Sequence, residues 1–169
     1  MFGEVVAAVT SHPGPLQGCE TLPLGRLRYL ATDSPAYTKR WFAQGVTADS
    51  LSRAPALTFS DKDRLQAQWV DRVTGGAAKR AAFPSHRLAS SQGFVDACLH
   101  GLGWGMNPEP LVATHLAAGR LVELVSGAAH DVPLYWQYAR LTAPATAALT
   151  RALRAAAGTR LETLRSSRS

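Results

Sequence analysis

The sequence predicts an α/β fold with a mainly parallel sheet, and two observations support this prediction. Short apolar runs rich in β-branched residues alternate with segments whose apolar residues recur every three or four positions, the spacing of one helix face. Glycine, proline or serine separates these segments, and short strands joined by helices favour parallel pairing. With 169 residues, 46% of them hydrophobic, the chain can bury one substantial core or two small lobes.

The chain begins with predicted strands. Residues 4–10 form a short apolar run rich in valine, which predicts a buried strand, and the loop residues of segment 11–15 follow it. Residues 19–31 contain several leucines but are divided by Pro23 and Gly25. We therefore predict strand, turn and strand in this segment.

Helices and strands alternate through the rest of the chain. Leu65, Trp69 and Val73 are four residues apart and share one face of a predicted helix, which the glycines at 75 and 76 end. The predicted elements are a helix from residue 35, a short helix at 48–51, a strand at 56–59, the helix that ends at 75–76, a strand at 86–89, a helix that begins at the serines 90–91 and stops at Gly101, a helix at 108–119, strands at 121–124 and 132–139, and an Ala-rich helix at 144–157.

Composition argues against several classes of protein. The formal charge of +6 comes from arginines scattered along the chain, so we expect no DNA-binding patch. Polar residues or glycine interrupt every apolar run before the length of about 18 residues that a membrane helix needs, so we expect no membrane contact. The N-terminal residues lack the basic and apolar regions of a secretory signal, which predicts a cytoplasmic protein.

No metal, cofactor or catalytic motif stands out. The two cysteines, Cys19 and Cys98, form no CxxC pair, and the histidines lack metal-binding spacing. The glycines of segment 101–105 follow a predicted helix, whereas a dinucleotide loop follows a strand. We find no nucleophile elbow, P-loop or paired-carboxylate motif, so we expect no cofactor, no metal and no enzyme; a small α/β hydrolase is a disfavoured alternative that lacks its nucleophile.

Several segments together resemble one family over the chain from its first residues to about residue 160. They are Gly3-Glu4-Val5-Val6-Ala7-Ala8-Val9, Gly45-Val46-Thr47 ahead of Ala54-Pro55, segment 86–94 with its Ser90-Ser91 pair, Ala118-Gly119-Arg120-Leu121-Val122-Glu123-Leu124, and Leu134-Tyr135-Trp136. Each segment alone is common, but their order and spacing resemble the regulatory domain of LysR-type transcriptional regulators, in the branch that responds to arginine and lysine.

This resemblance implies a type II periplasmic-binding-protein-like fold, in which two α/β lobes hold a small molecule between them. Residues 1–30 would be the C-terminal part of the first lobe and 31–128 the second lobe. Residues 129–160 would supply a crossover strand and a helix that return to the first lobe, and 161–169 a disordered tail. The winged helix-turn-helix and the opening of the first lobe would lie before Gly3, so we expect a first lobe truncated on its N-terminal side and DNA contact only through the missing domain.

Five residues are candidates for effector binding. Ser90 and Ser91 stand where a strand turns into a helix, so they and the helix N-terminus can hold a carboxylate, although an N-cap serine has the same pattern. Asp61 and Asp63 follow a strand end and can pair with a cationic side chain, although acids also favour helix starts. Trp136 can flank an effector, although core packing is its commoner role.

The resemblance implies a sensor that binds L-lysine or L-arginine, forms a homo-oligomer and controls transcription of amino-acid export genes. The effector would shift the equilibrium between two states for which it has different affinities. The alternative is an interaction fragment that dimerises with intact homologues without sensing an effector. A titration with lysine and arginine distinguishes these two hypotheses.

Overall fold

The computed structural model describes residues 6–14, 16–78 and 83–162. The chain divides into two compact units, which we call the terminal unit (Met1–Arg28 with Asp131–Ser169) and the central unit (Tyr29–His130). The elements are β1 (Ala7–Thr10), β2 (Cys19–Asp33), α1 (Pro35–Trp41), α2 (Ala48–Arg53), β3 (Ala56–Thr58), α3 (Leu65–Val73), β4 (Ser85–Arg87), α4 (Ser91–Leu99), β5 (Gly105–Pro108), α5 (Glu109–Ala117), β6 (Val122–Glu123), β7 (His130–Ala139) and α6 (Ala143–Arg160), with a 3-10 turn at Arg140–Thr142.

The terminal unit is built on antiparallel strands and one long helix. β1 pairs antiparallel with β7, which lies between β1 and β2 in the sheet. Trp136 of β7 is 4% exposed, and its indole Nε1 donates a hydrogen bond of 2.9 Å to Thr150 Oγ1 of α6. This contact fixes the long helix against the sheet of the same unit.

The central unit contains both parallel and antiparallel pairing. β3 and β4 are parallel, and a parallel bridge from Ala56 to Trp104 joins β3 to the chain just before β5. β2 pairs antiparallel with both β5 and β6. The prediction of a mainly parallel sheet is therefore wrong for β2. A helical crossover favours parallel pairing between the strands that it joins, and β2 pairs instead with β5 and β6, which lie more than 70 positions away.

Two apolar clusters cover the two faces of the central sheet. Neighbouring strand residues point to opposite faces, and accordingly Leu30 and Ala31 of β2 belong to different clusters, as do Leu57 and Ala56 of β3. One cluster takes its buried side chains from α1, α2 and α3, including Tyr37, Leu51 and Trp69, and the other from α4 and α5, including Phe94 and Val112. The central unit is thus a sheet between two helical layers.

Two local predictions need correction, and one strand was missed. Residues 19–31 form one continuous strand, because Gly25, at φ +147°, allows a close approach rather than a turn: a Cβ there would lie 2.6 Å from the Cβ of Leu161. Glu162, assigned to the disordered tail, is ordered by two backbone hydrogen bonds with Arg26, of 2.8 and 3.2 Å. β5 was missed because its four residues include glycine and proline, which disfavour strands.

The bounds of the remaining helices and strands agree with the sequence prediction to within a few residues, but β1 is not the buried strand that was predicted, since Val9 is 48% exposed. Within the described ranges, no helix is both long and apolar enough to cross a membrane. Residues 4 and 5 of the first predicted strand, and 163–169 of the predicted tail, lie outside the described residues.

Candidate functional site

A cavity of about 200 Å³ lies within the central unit, where β3 and β4 end and α3 and α4 begin. Its lining residues are Tyr29, Phe59, Asp63, Leu65, Ser91, Phe94, Met106, Asn107 and Pro108. The carboxyl ends of strands are where α/β sheets commonly place ligands. The combination of apolar walls and a few polar groups is typical of a small-molecule site.

Asp63 contributes a carboxylate to this cavity, and the local backbone holds it in place. Its two oxygens accept hydrogen bonds from the backbone N–H groups of Phe59, at 2.9 Å, and Leu65, at 3.1 Å. Each carboxylate oxygen has two lone pairs, so Asp63 can still accept hydrogen bonds from a cation. Burial, and then the negative charge of Asp63, raise the pKa of the Tyr29 hydroxyl, which therefore stays protonated.

The two serines have different positions at the start of α4. Ser90 is the N-cap, and its Oγ accepts a hydrogen bond of 3.0 Å from Gly93 N, which is the alternative role that the sequence allowed. Ser91 is the first residue of α4 and lines the cavity. The N-terminal end of this nine-residue helix, with its partial positive charge, is therefore at the cavity wall.

Ser90→Ala is expected to lower the free energy of unfolding by about 1 kcal/mol, because it removes the side-chain cap at the start of α4. Ser91→Ala is the matched control: Ser91 makes no such capping bond, so its loss should change stability by less than about 0.5 kcal/mol. Urea denaturation of both variants measures the difference. Equal stabilities for the two variants would contradict the assignment of the cap.

Asp61 and Asp63 both line a wider depression beside the cavity, but of the two only Asp63 also lines the 200 Å³ cavity. Asp61 forms an ion pair with Arg87 of β4, and both side chains are exposed. It lines a wider neighbouring depression that also includes Arg64, and it is absent from the lining of the 200 Å³ cavity. Of the two acids, Asp63 is the one that the structure brings together with Ser91.

Trp136 lies in the terminal unit, buried and hydrogen-bonded to α6 as described above. Its ring packs at 6.3 Å from the ring of Tyr138. These contacts are those of a core residue, and Trp136 is not part of the lining of the central-unit cavity.

Besides Tyr29, sequence reasoning missed one further polar residue of the cavity, Asn107. It is fully buried in β5, and its Nδ2 donates a hydrogen bond of 3.0 Å to Thr32 Oγ1 of β2. The available signal was an asparagine that directly follows an apolar residue and precedes a proline, but it has meaning only once β5 is recognised as a strand.

The buried thiol beside Asn107 is chemically inert. Burial raises the pKa of Cys98 to about 12, so the thiol keeps its proton at neutral pH. Its Sγ donates toward the carbonyl oxygen of Thr32 at 3.4 Å. In the part of the chain that the structure describes, no three His, Cys, Asp or Glu side chains are grouped so that they could hold a metal ion.

The fold and the cavity define the class of the protein: a mixed α/β regulatory domain of the periplasmic-binding-protein-like type. Residues 3–158 match the family model described as the LysR substrate binding domain. The chain therefore belongs to the LysR family of transcriptional regulators.

Individual relatives narrow the comparison. The chain is 42% identical over 158 residues to the HTH-type transcriptional regulator ArgP of Pseudomonas aeruginosa. The aligned region covers 92% of this chain and 51% of the relative. It thus spans about half the length of the curated relatives it matches.

Solved structures agree with this comparison. The C-terminal domains of a LysR family protein from Agrobacterium tumefaciens match with a TM-score of 0.90 and 52% identity, covering 95% of this chain and 76% of that one. Full-length LysG of Corynebacterium glutamicum with bound effector Arg matches with a TM-score of 0.78 and 35% identity, covering 95% and 53%.

Proposed function

We propose that this chain is an effector-sensing regulatory domain that binds a basic amino acid, L-lysine or L-arginine, to control transcription of amino-acid export genes. The observation that carries the proposal is the pairing of Asp63 and the Ser91 end of α4 in one cavity. An amino acid with a cationic side chain has a carboxylate and a distal positive charge. A helix N-terminus and a carboxylate complement these two groups.

The apolar walls complement the rest of such a ligand. Phe59 and Phe94, whose ring centroids are 6.5 Å apart, line the cavity with Leu65 and Met106. The methylene groups of a lysine or arginine side chain would pack against these residues, while its charged end reaches Asp63. Ser91 would contribute with the N-terminus of α4, whereas Asp61, Ser90 and Trp136 are not assigned ligand contacts.

The relatives support the same function. LysG of Corynebacterium glutamicum has been solved with arginine as its bound effector, and the relatives named above are transcriptional regulators. The proposal includes binding to a promoter through a winged helix-turn-helix of the whole regulator, in the cytoplasm and without catalysis. It also includes association with further copies, since Leu141 and Leu149 of the terminal unit are 96% and 50% exposed.

L-Lysine and L-arginine are expected to raise the melting temperature of the protein more than L-norleucine does. Norleucine has the straight side chain of lysine without its ammonium group, so it cannot pair with Asp63. Ligand that binds only the folded state stabilises it by mass action, and thermal denaturation over a ligand series measures this. A domain that only pairs with other copies would respond to none of the three, and an equal response to norleucine would contradict the cation site.

A further inference from the structure

A fully buried amide in the cavity wall lacks one hydrogen-bond partner. Asn107 is 0% exposed and stands in β5 between Met106 and Pro108, which also line the cavity. Its Oδ1 is buried and has no hydrogen-bond partner within the described residues. Native structures pair nearly all such buried acceptors, so Oδ1 needs a donor that the described residues do not supply, from a ligand or an ordered water.

The surrounding atoms determine which end of the amide is unpaired. One terminal atom of Asn107 lies 3.0 Å from Thr32 Oγ1 and 3.4 Å from the carbonyl oxygen of Gly105. A carbonyl oxygen can only accept a hydrogen bond, so the atom that faces it is the donor, Nδ2. The free end is therefore the oxygen, and the group that it can bind is an N–H or O–H donor.

Two of the three charged groups of a basic amino acid already have a complementary group in the cavity wall. The N-terminus of α4 complements the carboxylate and Asp63 complements the side-chain cation, which leaves the α-ammonium group. Of the uncharged side chains that line the cavity, Asn107 is the one that is fully buried with an acceptor lacking a donor. The α-ammonium group has three N–H donors and no acceptor, as this position requires.

We propose that Asn107 is a specificity-determining residue whose Oδ1 accepts a hydrogen bond from the α-ammonium group of the bound amino acid. This inference rests on the proposed function, since it assumes an amino-acid ligand in the cavity. It also explains how the ligand is coupled to the sheet, because Nδ2 of the same amide bonds β5 to Thr32 of β2. Selection for the α-ammonium group would exclude ω-amino acids, which have a carboxylate and a distal ammonium group but no α-ammonium group.

The alternative is a structural amide that only joins β5 to β2. A structural role predicts that substitution lowers stability and weakens all ligands by the same factor. A specificity role predicts a change in the ranking of ligands. The ranking is therefore the quantity to measure.

The test uses calorimetric dissociation constants for three ligands. L-Lysine has all three charged groups, 6-aminohexanoic acid lacks only the α-ammonium group, and L-norleucine lacks only the side-chain ammonium. The parent protein is expected to prefer lysine over 6-aminohexanoic acid by at least about tenfold, the worth of one hydrogen bond to a charged group. In Asn107→Leu, which removes the acceptor at similar volume, this preference should fall below about threefold, while the preference for lysine over norleucine remains.

Three outcomes separate the two proposals. If the parent binds 6-aminohexanoic acid as tightly as lysine, the role of Asn107 is overturned while the proposed function stands, and no variant is needed for this conclusion. If the parent binds neither lysine nor arginine, the proposed function fails and this inference fails with it. If Asn107→Leu does not fold, Asn107→Asp is the second variant, because it keeps an acceptor at the same place. It should retain the preference for lysine over 6-aminohexanoic acid, and loss of this preference in Asn107→Asp would overturn the proposal.

Discussion

Asp33→Asn is expected to change the free energy of unfolding in a way that depends on pH. Its stabilising effect above pH 7 should exceed its effect below pH 4 by up to about 4 kcal/mol. Asp33, at the end of β2, is 0% exposed, and burial raises its pKa from 3.8 to about 7, although a hydrogen bond of 2.6 Å from Thr38 Oγ1 opposes the shift. Its other oxygen, Oδ2, is buried without a hydrogen-bond partner within the described ranges. The difference between the two pKa values corresponds to about 4 kcal/mol.

The sign follows from proton binding. Below pH 3.8 both the folded and the unfolded chain bind the proton, so Asp33 contributes no pH dependence. Between pH 3.8 and about 7 the folded chain keeps the proton that the unfolded chain has lost, so the free energy of unfolding decreases as pH rises. Above pH 7 the full cost of a buried charge is present, and the neutral amide avoids it.

Urea denaturation of both proteins from pH 4 to pH 8 measures this effect. Asp71→Asn makes the same chemical change at an exposed position of α3 and should leave the pH profile of the parent unchanged. If the difference in unfolding free energy between Asp33→Asn and the parent were constant across this range, Asp33 would not be the buried acid that the structure describes.

Local chemistry made the helices predictable. The start of α4 follows from Ser90, whose side chain caps the helix, and its end follows from Gly101, which has φ +71°. The apolar spacing of Leu65, Trp69 and Val73 gave α3 directly. In each case residues within a few positions of one another determine the structure, so the sequence pattern contains the information.

Strand β5 and the continuity of β2 depend on distant residues, and both were missed. The four residues of β5 have weak strand propensity, and they form a strand because β2, more than 70 positions earlier, pairs with them from Tyr29↔Pro108 to Thr32↔Gly105. Gly25 is required by contact with Leu161 near the other end of the chain. Because Asn107 is in β5, missing this strand also concealed the buried amide of the cavity.

The candidate site was predictable as a region but not in its detail. Strand ends and helix starts indicated loops that border the cavity, and two of the five candidate residues, Asp63 and Ser91, line it. The different positions of Asp61 and Asp63 could not be predicted, because Asp61 is paired with Arg87, which is 26 positions away. Side-chain direction within a loop is set by such tertiary contacts rather than by sequence spacing.

Asp63→Asn is expected to weaken lysine and arginine binding by about 10- to 100-fold and norleucine binding by less than about threefold. Hydrogen bonds to a charged group contribute about 1.5–3 kcal/mol, which corresponds to this range of affinity. An amide keeps an oxygen that can accept from one of the two backbone donors, Phe59 N or Leu65 N, but it removes the negative charge. The variant therefore tests the charge with limited change to the loop.

Asp61→Asn provides the matched control, since it makes the same substitution two positions away on the same loop. Asp61 is 78% exposed and paired with Arg87, so its loss should cost at most about 1 kcal/mol of stability and change lysine affinity by less than about twofold. Isothermal titration calorimetry with lysine, arginine and norleucine measures all three affinities for each variant. If the two variants reduced lysine binding equally, the cation would not bind at Asp63, and general charge attraction would explain the preference. If Asp63→Asn weakened norleucine as strongly as lysine, the residue would act only by holding the loop between β3 and α3, and the side-chain cation would need another acceptor among the residues that line the cavity.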